Sequence, residues 1–167
     1  MKIKIIFGLG NPEERYQGTY HNLGLQALRR FETLQDEKPW SGLRLVSSTV
    51  SMNESGTSVR KLLSEHGIKP EQLLVIHDDS DLMIGKVKLS FGQNPAGHKG
   101  VESIIHALGT KDFWRLRVGF RKKEEVENGR GRAKASELVL KKISRDDQAI
   151  LETVFGTLPA IILKTLT

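Results

Sequence analysis

The run Leu73-Leu74-Val75-Ile76 is apolar at every position and opens directly into His77-Asp78-Asp79-Ser80-Asp81. A strand of that kind is buried on both faces, so its sheet needs a covering layer on each side. A second strand, residues 2–7, is rich in β-branched residues and runs into Gly8-Leu9-Gly10-Asn11-Pro12. Helical spacing follows at Leu23, Ala27, Leu28, Phe31 and Leu34, which predicts a helix over 22–34 with a polar loop at 35–39. Residues 43–49, 86–91 and 114–120 read as further strands, the last two by clean alternation. Helices carry Val59, Leu62 and Leu63, closed by Gly67, and then Val101, Ile104, Ile105 and Leu108, closed by Gly109. Ser144 is expected to cap a last helix, which Pro159 ends or kinks. Strands alternating with helices give an α/β sandwich. The 167 residues suit one domain, 1–167, with no internal repeat or low-complexity linker.

The chain has no cysteine, which excludes disulfides and thiolate metal sites. No apolar run approaches a membrane span and no signal-peptide core opens the sequence, so a cytosolic protein without a membrane partner is expected. Net charge is +6, and residues 111–134 hold nine basic against four acidic side chains. The stretch is expected to form a mobile, charged loop from Arg121 to Lys134. It also favours a polyanion such as RNA as partner.

Polar residues follow strands or precede helices at Asn11, His21, Met52-Asn53, Asp78 and Gly97-His98-Lys99-Gly100. Loops of this type converge at one end of an α/β sheet. A histidine can take a proton from water near neutrality. Asp78 can fix its tautomer, and Asn11 and Asn53 can hold a carbonyl and its oxyanion. The dinucleotide fingerprint fails here, because Glu13 occupies its third glycine position and Pro12 intrudes. Neither a nucleophile-elbow serine nor an H-E-x-x-H zinc pair is present.

The pieces Gly8-Leu9-Gly10-Asn11-Pro12, Tyr16, Thr19-Tyr20-His21-Asn22-Leu23-Gly24, Met52-Asn53-Glu54-Ser55-Gly56, His77-Asp78-Asp79-Ser80-Asp81-Leu82, Gly97-His98-Lys99-Gly100 and Arg115-Leu116-Arg117-Val118-Gly119 together resemble bacterial-type peptidyl-tRNA hydrolases, in the family's order. The resemblance implies a monomeric, single-domain three-layer α/β sandwich with a twisted mixed β-sheet flanked by helices. It implies hydrolysis of the ester between a peptide and the terminal ribose of tRNA, without metal or cofactor, with peptidyl-tRNA as the partner. By position, His21 matches the catalytic base and Asp78 its partner. Asn11, Tyr16, Met52, Asn53, His98 and Lys99 fall at substrate-binding positions, His98 on a gating loop. Arg117 matches half of a clamp on the tRNA 5′-phosphate.

The chain also departs from the pattern. Lys99 stands where asparagine is usual, Ser90 where the second clamp cation is usual, and Tyr20 where arginine is common. Lys88, two residues before Ser90, can supply the missing cation. The segment before Met52 is shortened, and Gln93-Asn94-Pro95-Ala96 extends the gating loop. These departures leave two alternatives: a non-catalytic RNA- or protein-binding relative, and an esterase acting on another acyl carrier.

Overall fold

The computed structural model describes residues 2–34, 40, 42–127 and 134–164. Five strands form one sheet: β1 (Ile5–Gly8), β2 (Arg44–Ser47), β3 (Leu73–Met83), β4 (Val87–Phe91) and β5 (Trp114–Arg121). Their order is β2-β1-β3-β5-β4, parallel throughout except for the antiparallel edge strand β4. The expected mixed sheet is therefore present. Around it lie α1 (Leu23–Leu34), α2 (Ser55–Glu65), α3 (Lys99–Leu108), α4 (Lys123–Glu127), α5 (Ala135–Leu138), α6 (Arg145–Phe155) and α7 (Leu158–Leu163). No helix of the described residues is long and apolar enough to cross a membrane.

The apolar central run divides its side chains between two cores. Leu74 and Ile76 join Ile6, Leu116 and Val118 under the α1, α6 and α7 side, with Leu28, Phe31 and Phe155. Leu73 and Val75 join Ile5 and Phe7 under α2 and α3, with Val59, Leu63, Val101 and Ile104. That division produces the three layers and leaves the carboxyl ends of β1 and β3 together. Gly24 seats α1 there: a Cβ on it would lie 2.2 Å from the Ile76 carbonyl oxygen. The backbone approach needs glycine, and it places the preceding turn, with His21, beside β3.

Two expectations are corrected. The strand read from residues 72–76 continues to Met83, so His77 to Asp81 lie within β3 rather than on a loop. Pairing with β5 holds them extended, Asp78 opposite Val118 and Asp79 opposite Gly119, with a register shift before Met83. The charged stretch expected as a loop from residue 121 instead starts with the last strand residue, Arg121, and forms α4. Arg121 is buried and pairs with Glu125 one helical turn on at 3.7 Å, which anchors that helix. The expected loops at 35–39 and 128–133 lie outside the described residues. Elsewhere the punctuation holds. Gly109 ends α3 in the left-handed region, and Ser144 caps α6 by accepting from the Asp147 N–H at 3.2 Å. Pro159 starts α7 after α6 has ended.

Candidate active site

Asp78 is buried and receives two histidines. Nδ1 of His21 lies 3.1 and 3.2 Å from its carboxylate oxygens, and Nε2 of His98 lies 2.9 Å from Oδ1. To donate to the carboxylate, His21 carries its proton on Nδ1, which leaves the Nε2 lone pair open. Among the described residues nothing bonds that Nε2. His98 is bonded at both ring nitrogens, with Nε2–H donating to Asp78 and Nδ1 accepting from the Val101 N–H at 3.4 Å, where it caps α3. Burial opposes ionisation of Asp78, but the two histidines outweigh it and hold the carboxyl well below the usual range. Burial likewise works against a charged His21; Asp78, by charge and hydrogen bond, more than offsets it and raises His21 above its ordinary value.

A third ring stands behind these two. His77 is fully enclosed, donates from Nδ1 to the Asp78 carbonyl at 2.6 Å, and meets His98 edge-on at 4.8 Å. Burial above all keeps it neutral. The sequence reading gave this residue no role.

His21, Asp78, His98 and Lys99 border one cavity of about 250 Å³. Its far wall was not foreseen: Ser136, Val139 and Leu140 close it. That wall is stitched to the His21 turn. The His21 N–H donates to the Val139 carbonyl at 2.8 Å, the Ile143 N–H to Gly18 at 2.8 Å, and the Tyr20 hydroxyl to Asp147. Burial first, then Asp147, pushes the Tyr20 phenol up to about 12. The residue before His21 is thus a fixed tether between the turn and α6. A sequence signal existed in the apolar triplet Leu138-Val139-Leu140, which has no strand partner and leaves Leu140 half exposed.

The other candidates are placed unevenly. Asn11 does not border the cavity but is locked against the His21 turn. Its N–H donates to Oδ1 of Asn22 and its carbonyl accepts from Nδ2, both at 2.8 Å. Its own Oδ1 accepts the Glu13 N–H, leaving its amide group unbonded among the described residues. Asn22, unremarked in the sequence beyond its motif, is what couples the two turns. Asn22→Asp is expected to orphan the Asn11 carbonyl and to cost about 1–3 kcal/mol of stability, read as a shift in the urea midpoint. An unchanged midpoint would show the bond to be dispensable.

Met52 is buried in the α2–α3 core. Asn53 is exposed and borders a second groove, described below. Tyr16 lies on the surface turn with the Arg15 guanidinium over its ring, away from the cavity. Arg117 donates to Asp79 at 2.5 Å, and Lys88 lies directly opposite Arg117 in the β4–β5 register. Ser90 faces Arg115, a buried side chain that donates to the Asn94 carbonyl at 2.9 Å. For a metal, His21, Asp78 and His98 offer ligand atoms within 4.8 Å of one another. As they stand, their hydrogen bonds already satisfy the carboxylate.

The chain shares sequence and fold with known proteins. Residues 5–167 match the family model described as peptidyl-tRNA hydrolase. The peptidyl-tRNA hydrolase of Lawsonia intracellularis is 42% identical over 136 residues, covering 71% of this chain and 68% of that one. The peptidyl-tRNA hydrolase of Lactobacillus johnsonii is 33% identical over 175 residues, covering 96% and 91%. The crystal structure of the Acinetobacter baumannii peptidyl-tRNA hydrolase superposes with a TM-score of 0.80 at 27% identity, covering 98% of this chain and 88% of that one.

Proposed function

Because this chain belongs to the peptidyl-tRNA hydrolase family and hydrolyses the ester between peptide and tRNA, we propose that its nucleophile is a water activated by His21. The observation that carries this reading is the His21 ring itself. Asp78 holds its Nδ1–H, and the open Nε2 belongs to a residue bordering the cavity. Nε2 takes a proton from water as the water oxygen bonds to the ester carbonyl carbon. Collapse of that adduct breaks the bond to the ribose oxygen, which leaves with the proton returned by the imidazolium. The products are a peptide carboxylate and tRNA with a free ribose hydroxyl. Asp78 steadies the transient imidazolium.

Asn11, held rigidly beside the His21 turn with an unbonded amide, supplies a donor to the carbonyl oxygen. Asn53, His98 and Lys99 complete the substrate side, with Met52 acting from the core beneath Gly100. Arg117 and Lys88, cross-strand neighbours, hold a tRNA phosphate. One chain supplies every group named, and we propose that the protein works as a monomer, in the cytosol and without a metal.

The test is release of N-acetylaminoacyl groups from tRNA with EDTA present. Cleavage that persists in EDTA is expected. Binding of tRNA without cleavage would favour a non-catalytic RNA-binding relative, and cleavage of acyl esters lacking RNA would favour another acyl carrier.

A further inference from the structure

Lys99 is placed where it helps neither the helix nor the core. It is the first residue of α3, so its cation sits at the positive end of the helix dipole. Among the described residues its only ion-pair partner is Glu102, at 3.4 Å, with the two side chains 73% and 40% exposed. A pair that open exchanges readily with water or with another anion. Yet among the described residues Lys99 is the one that borders both the cavity of His21, Asp78 and His98 and the neighbouring groove of about 380 Å³.

That groove is built, not incidental. Its walls are the turn at Asn53 with the start of α2 on one side and α3 on the other. Ser103 ties them, donating to the Asn53 carbonyl at 2.7 Å and accepting the Gly56 N–H at 2.9 Å. The approach is so close that a Cβ on Gly56 would lie 2.0 Å from the Ser103 carbonyl oxygen. The topology also separates it from the phosphate-binding side. Asn53 follows β2 at one edge of the sheet, whereas Arg117 and Lys88 lie on β5 and β4 beyond β3. With tRNA held on the β5–β4 side, the acyl group points toward Asn53 and Lys99.

We propose that Lys99, standing between the cavity and this groove, selects esters whose last amino acid bears a carboxylate over those bearing an ammonium. The proposal rests on the hydrolase reading. Of the ionisable side chains that line the groove among the described residues, Lys99 alone also borders the cavity; Glu102 and His106 border only the groove. An incoming carboxylate displaces Glu102 as the partner of Lys99, while an incoming ammonium meets a like charge at the threshold.

The experiment uses one tRNA, chemically acylated with N-acetylglutamate, N-acetylglutamine or N-acetyllysine, so that the RNA contacts are constant. Wild type is expected to show kcat/KM about 3- to 5-fold higher for the glutamyl than the glutaminyl ester, and lowest for the lysyl ester. Raised salt should compress the series. Lys99→Gln should level it, and Lys99→Glu should reverse it. Equal rates in wild type would overturn the selection by Lys99 while leaving the hydrolase intact. So would a Lys99→Gln variant that slows all three esters by one factor, since that is the behaviour of a merely structural lysine. Cleavage of none of them would remove the reaction, and the selection with it.

Discussion

Replacing His21 with alanine is expected to lower kcat by roughly 10²–10⁴-fold, the usual contribution of a positioned general base, while tRNA binding survives. Binding survives because the proposed phosphate contacts, Arg117 and Lys88, lie on β5 and β4 and not on the His21 turn. The fold should tolerate the change. Asp78 keeps its 2.9 Å bond to His98, and the His21 backbone N–H still reaches Val139. A pH profile sharpens the test, since His21 must be neutral to accept a proton. Its ionisation is raised above the ordinary 6.5, so wild-type activity should climb with pH through a midpoint above about 6.5. The stability term has the opposite sign. A raised histidine contributes stability fully below its unfolded value, and that contribution is lost as pH rises through the folded one. Activity therefore grows over the same interval in which the ion pair with Asp78 weakens. An unchanged kcat in the alanine variant would take His21 out of the mechanism.

What the sequence disclosed and what it hid divide along local and non-local physics. The central run, the helical stripe from Leu23 to Phe31, the stop at Gly109 and the cap at Ser144 are local patterns, and each appears where it was read. The His21–Asp78 pair was legible because polar residues at the carboxyl ends of parallel strands share one edge of the sheet. The continuation of β3 through three aspartates was hidden, since aspartate disfavours strands and only pairing with β5 holds it there. Likewise α4 looks like a charged loop until Arg121 is seen to be buried. The cavity wall at 136–140 depends on contacts such as Tyr20 with Asp147, 127 residues apart, which no window of sequence contains. The two asparagines were read as one constellation, yet Asn11 is fixed to the His21 turn and Asn53 borders the adjacent groove.

Asp78→Asn should be nearly as damaging as loss of the histidine, for reasons specific to a carboxylate shared by two rings. The carboxylate accepts from Nδ1 of His21 and Nε2 of His98 at once. An asparagine presents one acceptor and one donor in the same space. If its NH₂ group faces His21, it donates to Nδ1 and drives the ring proton onto Nε2, where no base then remains. If its oxygen faces His21, His98 must switch tautomer and give up the bond that caps α3. Either arrangement also removes the negative charge that steadies the imidazolium, and the expected loss in kcat is roughly 10²–10⁴-fold. The residual activity carries its own signature. Without the carboxylate, burial alone governs His21 and pushes its ionisation below the ordinary value, so the acid limb of the profile should move to lower pH. Stability should respond as well. A depressed carboxylate contributes above its unfolded value near 3.9 and loses that contribution as pH falls, so the variant should be less acid-sensitive than wild type. A kcat within about threefold of wild type, or an acid limb that stays in place, would show that Asp78 neither fixes the tautomer nor sets the charge of His21.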